Sequence, residues 1–251
     1  MVFSSNVFLL YFLPIFLAVY FITPRKFRNY TLLLASFIFY AYGAPEFVVQ
    51  LILSNVANFY LVKYMFKTEK AITKKILCGI SIAISIGLLF YYKYGNFTML
   101  NLNAILGVFN HEPIEWIKIL LPIGISFFSF QSVTYTLDTY RGINEPMKRL
   151  SDYMLYITMF PQLVAGPIIR YCDIADQIRE RESLMTDRLH GFYRFVLGLA
   201  KKILIADVIG FQVDKILGPS NYDVLSAAQI QDIANKITTI DSTTAWIVIL
   251  A

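Results

Sequence analysis

Long apolar runs constrain this sequence more than any other feature. A helix that crosses the hydrocarbon core of a bilayer needs about 20 mostly apolar residues, and several runs approach or reach that length. They cover residues 6–22, 29–43, 46–66, 76–93 and 117–140. Only 16% of the residues are charged, against about 25% in soluble domains. The sequence therefore predicts an all-α, polytopic integral membrane protein, with five transmembrane helices in 1–140 and a single membrane domain over 1–251.

Basic residues between the runs predict the orientation in the membrane. They follow the first, third and fifth runs and are Arg25, Lys26, Arg28, Lys67, Lys70, Lys74, Lys75, Arg141, Lys148 and Arg149. The connections at 43–46 and 94–116 contain no lysine or arginine. Because basic loops stay in the cytoplasm, the N-terminus is predicted to lie outside.

The stretch MFPQLVAGPIIRY, residues 159–171, is apolar but contains two helix breakers. Pro161 lacks a backbone N–H and clashes with the preceding turn, and the residue before Pro167 resists helical dihedral angles. Basic residues flank the stretch on both sides. These features predict a re-entrant segment at 153–169, enclosed by other helices because unpaired backbone groups cannot face lipid. An ordinary transmembrane helix with a proline kink is the alternative.

Two later stretches complete the predicted topology. Lys201 and Lys202 interrupt the apolar residues of 188–217, and lysines at the bilayer centre are costly, so an interfacial helix is predicted there. Its apolar side would turn Phe192, Phe195, Val196 and Leu199 toward the acyl chains. The final run, AWIVILA at 245–251, is too short to cross a bilayer. It is predicted to begin a further transmembrane helix, which makes the chain the front part of a longer protein.

Polar residues inside the fifth run form its most informative pattern. Gln131, Thr134, Asp138 and Arg141 follow one another at spacings of three, four and three, which places them on one side of a helix. Polar groups within transmembrane helices usually face the bundle interior or a water-filled cavity. Two interpretations remain open: a lined passage for a polar substrate, or an Asp138–Arg141 pair near the interface that only holds helices together.

Two further patterns predict helix packing. In the third run, Ser54, Asn55 and Asn58 indicate a seam of interhelical hydrogen bonds rather than a site. In the fourth run, small residues repeat every four positions, and such a stripe lets a neighbouring helix approach closely. They are Gly79, Ala83 and Gly87.

Several kinds of chemistry find no support in the sequence. It contains no metal-ligand cluster, phosphate-binding loop or nucleophile motif, and neither His111 nor His190 lies in an apolar run with a carboxylate at ligand spacing. Cys78 and Cys172 are too few for a disulfide framework and are predicted to be reduced. The net charge of +5 resides mainly at the membrane edges, so the expected surroundings are a lipid bilayer and no nucleic acid.

Three further stretches form recognisable motifs: LPIGISFFSFQSVTYTLDTYRG at 121–142, FPQLVAGPIIRY at 160–171 and GLAKKILIAD at 198–207. They resemble motifs of the bacterial branch of the membrane-bound O-acyltransferases, and are most similar to those of the membrane subunit of alginate-type polysaccharide O-acetylation. Their order and spacing agree with the family over essentially the whole chain.

The resemblance implies an enzyme of the bacterial inner (cytoplasmic) membrane with no bound cofactor. It would pass acetyl groups from a cytoplasmic donor, acetyl-CoA, to hydroxyls of an exported polysaccharide or cell-wall glycan, with a periplasmic or extracellular esterase-like acetyltransferase as partner. The family's histidine, which assists the acceptor hydroxyl, is expected beyond Ala251. Neither His111 nor His190 matches it, so no catalytic residue is assigned and the chain alone is expected to be inactive. A transporter or export-channel component and an inactive N-terminal fragment are the alternatives.

The resemblance also assigns scaffold positions along the donor path. The first motif is matched by Gln131, Asp138 and Arg141. The second is matched by Pro161, Gln162, Gly166, Pro167 and Arg170. Arg170, at the mouth of the predicted re-entrant segment, is expected to attract the phosphates of the donor; the alternative is that it only sets the orientation in the membrane.

Overall fold

The computed structural model describes residues 3–163, 166, 169–179 and 185–217. These residues form helices and connections, with no strand among them, so the all-α class is confirmed for this part of the chain. Contacts divide the chain into two compact units, Met1–Glu182 and Ser183–Ala251. The predicted helix start at 245–251, together with Pro167, lies outside the described residues.

Helices dominate the first unit. They are α1 Leu13–Ile22, α2 Arg28–Gly43, α3 Val48–Lys67, α4 Ala71–Val108, α5 Ile125–Tyr140, α6 Leu150–Thr158, α7 Phe160–Leu163 and α8 Tyr171–Arg179. A π-helical turn, Phe8–Phe12, leads into α1, and a 3-10 turn, Pro45–Phe47, leads into α3. Within the described ranges, Pro45–Lys67 and Ala71–Val108 are the two helices long and apolar enough to cross a membrane.

The connections that carry the basic residues meet at one end of this unit, which we call the basic end. The Lys63 ammonium, in the last turns of α3, donates to the Lys148 carbonyl. The Asn29 amide, at the start of α2, donates to the Ile178 carbonyl of α8. The Tyr171 hydroxyl donates to the Glu145 carbonyl. The start of α2, the end of α3, the 141–149 connection and α8 therefore lie together, as the alternation of basic residues predicts.

A buried chain of hydrogen bonds joins α3, α4 and α5. The Asn58 amide nitrogen donates to Ser85 Oγ at 3.0 Å, and Ser81 Oγ donates to Asn58 Oδ1 at 2.9 Å. Ser81 Oγ also lies 2.9 Å from Thr136 Oγ1, on α5. The predicted interhelical seam is therefore confirmed for Asn58, whereas the Ser54 hydroxyl donates to the Leu51 carbonyl of its own helix. Asn55 is buried beside the seam, but its Nδ2 atom makes no hydrogen bond.

The small-residue stripe of α4 does not pack against a helix in the described part of the chain. Space is open around Gly79 and Gly87, where an added Cβ would meet no atom within 4 Å. The buried side of α4 is instead the polar one, which carries Ser81 and Ser85. The prediction of a close helix approach along the stripe is therefore wrong for these residues, because the hydrogen-bonded seam determines which side of α4 faces its neighbours.

The fourth helix is longer than its apolar run. It has 38 residues and a length of about 57 Å, against about 30 Å for the hydrocarbon core of a bilayer. It continues past residue 93 through Val108, so much of the predicted connection 94–116 is helical. Residues 94–108 contain no proline and no charged residue.

The residues after α4 return along it as an extended strap. The Asn103 side chain exchanges two hydrogen bonds with the backbone of Ile114, and the Asn96 side chain exchanges two with the backbone of Ile119. The strap ends at Gly124, whose φ of 77° lies in the left-handed region that glycine adopts without strain. Helix α5 therefore begins at Ile125 rather than at the predicted 117.

The second unit is helical throughout its described part. Helix α9, Met185–Lys201, passes through a π-helical turn, Lys202–Ala206, into α10, Asp207–Leu217. The predicted helix at 188–217 is thus present, and its position in the membrane interface stays a prediction.

Candidate functional site

The apolar stretch is broken beside Pro161, the first of its two predicted breakers, whereas the second, Pro167, lies outside the described residues. Helix α6 ends before Met159, whose ψ of 117° is not helical, and α7 follows at once. Pro161 lies in the first turn of α7, where its missing N–H requires no partner. The Phe160 N–H donates instead to Ser36 Oγ of α2 at 3.1 Å. A side chain from a distant helix therefore pairs a backbone group at the break. This hydrogen bond offsets the free-energy cost of burying the Phe160 N–H.

Aromatic rings surround the break. The Phe160 ring lies 5.2 Å from that of Phe16, 5.4 Å from that of Phe12 and 5.5 Å from that of Phe39, measured between centroids. Phe160 itself is buried. The phenylalanines of the π-turn, α1 and α2 thus enclose the deepest part of the broken segment.

Beyond the break the chain approaches the start of α5. A Cβ added at Gly124 would lie 2.5 Å from the Leu163 carbonyl oxygen, so the two backbones are in direct contact. Gly166 lies close to α7, since an added Cβ would lie 2.6 Å from Gln162 Cα. Glycine is the residue that allows both close approaches.

The chain then returns to the basic end. The Tyr156 hydroxyl donates to the Ile169 carbonyl at 3.1 Å, and the Tyr171 ring lies 5.0 Å from that of Tyr135. Tyr135 is about 16 Å from Gly124 along α5. Leu163 therefore lies at the start of α5, whereas Tyr171 lies with the 141–149 connection at the basic end. Residues 164–165 and 167–168 lie outside the described chain.

Four buried tyrosines, which we call the tyrosine cluster, fix this return. They are Tyr135, Tyr153, Tyr156 and Tyr171. The Tyr135 hydroxyl accepts the Met147 N–H at 2.8 Å, and that of Tyr171 donates to Glu145 at 3.2 Å. The cluster therefore holds the 141–149 connection against the returning limb. The sequence patterns described above do not single out these four tyrosines; the available signal was that buried hydroxyls need partners.

The polar residues of α5 lie along the flank that faces this cluster. Gln131 is 1% exposed and neither of its amide atoms makes a hydrogen bond. Asp138 is half-buried beside Tyr156, and Arg141 is exposed. Within the described chain, Asp138 and Arg141 form no ion pair. The interpretation in which this pair holds the helices together is therefore wrong.

Gln162 repeats the situation of Gln131 inside the broken segment. It is 3% exposed, and its amide nitrogen and oxygen both lack a hydrogen-bond partner. A buried polar group left unpaired costs about 1–3 kcal/mol, and such groups in native proteins call for an explanation. The amides of Gln131 and Gln162 are therefore the best candidates to bind a polar molecule that enters the bundle.

The remaining predicted positions lie nearer the surface. Arg170 is exposed and directly precedes Tyr171, while Arg141 begins the 141–149 connection that Tyr171 contacts. The structure thus brings these two guanidinium groups to the basic end, and no carboxylate pairs with either in the described chain. Pro161 is exposed and Gly166 is half-buried.

Comparison with known proteins defines the class. The chain is 38% identical over 88% of its length to a protein of Pseudomonas putida and 38% identical over 82% to one of Azotobacter vinelandii. These matches show that the chain belongs to the membrane-bound O-acyltransferase family, which confirms the resemblance found in its motifs.

The particular relatives have informative names. Those from Pseudomonas putida and Azotobacter vinelandii are each named probable alginate O-acetylase AlgI, and a protein of Helicobacter pylori, 28% identical over 82% of the chain, is named peptidoglycan O-acetyltransferase. The chain spans 46%, 42% and 45% of these three relatives, about half of their length. No family model and no solved structure matches it.

Proposed function

We propose that this chain belongs to an O-acetyltransferase that moves acetyl groups from a cytoplasmic donor toward hydroxyls of an exported polysaccharide or cell-wall glycan. The observation that carries the reaction type is the 38% identity to alginate O-acetylases over 88% of the chain. The Helicobacter pylori relative, named for peptidoglycan, supports cell-wall glycan as a second acceptor class. A periplasmic or extracellular esterase-like partner completes the transfer.

The proposed topology is that of a multi-pass protein of the bacterial inner membrane, with its N-terminus outside and its basic end in the cytoplasm. Support comes from the basic residues that converge on one end and from the broken segment, which starts and finishes there. Such a segment thins the apolar barrier from the cytoplasmic side. Its backbone stays enclosed because Ser36 and the phenylalanines surround it.

The donor enters at the basic end in this proposal. Acetyl-CoA carries several phosphate groups, and guanidinium groups bind phosphates through paired charge-assisted hydrogen bonds. Arg141 and Arg170 are exposed there. Further in, the unpaired amides of Gln131 and Gln162 are available to polar groups of the donor. Pro161 and Gly166 shape the entry, and Asp138 lines its flank.

Acetyl transfer from labelled acetyl-CoA to glycan tests the activity, in membranes that carry the full-length gene with and without its neighbouring genes. Arg170→Ala should raise the donor concentration needed for half-maximal transfer by about tenfold, the effect of losing roughly 1.4 kcal/mol of phosphate binding. The matched control is Arg25→Ala, a change at another connection of the basic end. If both variants show unchanged kinetics, the donor does not bind through Arg170.

Thiol labelling tests the topology separately. Cys172, on α8, is exposed, and Glu145→Cys adds a thiol on the other flank of the broken segment. An impermeant reagent should label both from the cytoplasmic side and neither from outside, whereas Asn110→Cys, beyond α4, should react from outside. Labelling of residues 145 and 172 from opposite sides would mean that the segment crosses the membrane, and donor entry as proposed would be excluded.

A further inference from the structure

We infer that α9 is a docking surface for anionic lipid, with its axis in the plane of the membrane surface. Leu189, Phe192, Val196 and Leu199 recur at spacings of three, four and three, so they form one stripe along the helix. Phe192 is 68% exposed and Leu189 is 59% exposed. The described chain leaves this apolar stripe open along the helix, and a helix with one open apolar side suits an interface between water and hydrocarbon.

The opposite side of α9 is basic. His190, Arg194 and Lys201 recur at spacings of four and seven, and all three are exposed. At about 100° per residue, this stripe lies nearly opposite the apolar one. Arg188, four residues before Phe192, lies on the apolar side in the first turn; with it, the helix carries three guanidinium or ammonium groups against one carboxylate, that of Asp187. The two stripes are thus segregated as in helices that lie on membranes, with basic groups placed for headgroups.

Lys202, the residue that follows α9, would place a positive charge beside the apolar side. Lys202 lies at the edge of the apolar stripe, and its ammonium is 2.8 Å and 2.9 Å from the two carboxylate oxygens of Asp207. The π-helical turn Lys202–Ala206 produces this pairing, because π-helical hydrogen bonds join residues five apart and Asp207 N–H donates to the Lys202 carbonyl. The turn therefore neutralises the ammonium that lies beside the apolar side at this end of α9.

Charge complementarity selects the occupant. An apolar groove of another protein would cover the stripe of Phe192 and Val196 but would leave Arg194 and Lys201 unmatched. An anionic bilayer surface provides acyl chains for the first set and negative headgroups for the second. The occupant of the α9 surface is therefore a layer of anionic lipid headgroups. This inference does not depend on the acetyl-transfer reaction.

The test uses the 251-residue chain in nanodiscs of phosphatidylglycerol and phosphatidylcholine. Cys172→Ser removes the exposed thiol, and buried Cys78 serves as the folding check because it stays unlabelled in the folded chain. Six variants each carry one added cysteine that is labelled with an environment-sensitive fluorophore. Positions 192, 196 and 199 lie on the apolar stripe, and positions 190, 194 and 201 lie on the basic stripe. Spin-labelled lipids with shallow or deep nitroxides then report the depth of each position.

We expect shallow nitroxides to quench positions 192, 196 and 199 at least about twofold more than positions 190, 194 and 201, with deep nitroxides less effective. Arg194→Gln combined with Lys201→Gln should reduce this quenching, as should pure phosphatidylcholine or high salt. Strongest quenching by deep nitroxides near the middle of α9 would show a spanning helix. Absence of quenching throughout would show that protein covers the stripe. Quenching that does not depend on lipid charge or on salt would show that anionic headgroups are not required. Each of these three results would overturn the inference.

Discussion

Replacement of Asn58 by alanine should measurably destabilise the bundle, because this side chain joins three helices. Its amide donates to Ser85 and accepts from Ser81, and Ser81 in turn contacts Thr136. Asn58 is 2% exposed, so water cannot replace the lost bonds without entering the bundle.

The expected loss follows from the two direct bonds. Interhelical hydrogen bonds in membrane proteins contribute about 0.6 kcal/mol on average and about 1.7 kcal/mol at most, which gives a range of about 1–3 kcal/mol for the pair. Ser85 retains its bond to the Ser81 carbonyl, and Ser81 retains Thr136, so neither serine is left fully unpaired and a value near 2 kcal/mol is expected. For a chain of this size the unfolding midpoint should fall by about 4–8 °C.

The chain contains its own reporter for this measurement. In a Cys172→Ser background the remaining thiol is Cys78, which is buried on α4 one turn before Ser81. Heating with a thiol-reactive dye then reports unfolding of the hydrogen-bonded region. Asn101→Ala is the matched control, because Asn101 is an exposed asparagine of α4 that bonds only within its own helix and should shift the midpoint by less than about 2 °C. Equal midpoints for Asn58→Ala and Asn101→Ala would refute the reasoning.

Two further predictions use the same assay or its variants. Gly124→Ala should lower the unfolding midpoint at least about twice as much as Gly142→Ala. Both glycines have a positive φ, which costs an alanine about 1–2 kcal/mol. Only at Gly124 would the new Cβ also meet the Leu163 carbonyl oxygen, at 2.5 Å. Equal shifts would mean that the broken segment does not press on the start of α5. Asn96→Leu should release the strap, seen as faster backbone hydrogen exchange at 114–119, while Asn101→Leu should leave that exchange unchanged; equal exchange in both would show that the strap is held by other contacts.

Elements whose determinants are local were predictable from the sequence. Helices α1, α2 and α3 follow from uninterrupted apolar runs, and the break near Pro161 follows from the geometry of proline. The seam at Asn58 was predictable because an asparagine in an apolar helix needs a partner from a neighbouring helix. The convergence of the basic connections followed from alternation along a chain of antiparallel helices.

Features that depend on distant partners were not predictable. Nothing within the strap indicates that it will run along α4, because Asn96 and Asn103 supply the hydrogen bonds from another element. The stripe at Gly79 and Gly87 suggests a close helix contact, yet the polar side of α4 directs its packing. Likewise, the Asp138–Arg141 spacing permits an ion pair that the fold does not form.

The break itself shows why such a segment requires a bundle around it. A helix interrupted in an apolar environment leaves backbone groups without partners, each at a cost of several kcal/mol in lipid. Here the Phe160 N–H finds Ser36, which precedes it by 124 residues, and the space around its ring is filled by Phe12 and Phe16. These partners come from the first helices of the chain, whereas the return of the segment depends on the tyrosine cluster and on α5. The early apolar helices therefore enclose the broken segment. A substitution in α1 or α2 that displaces Phe160 should alter the region around Arg170, even though Arg170 itself is unchanged.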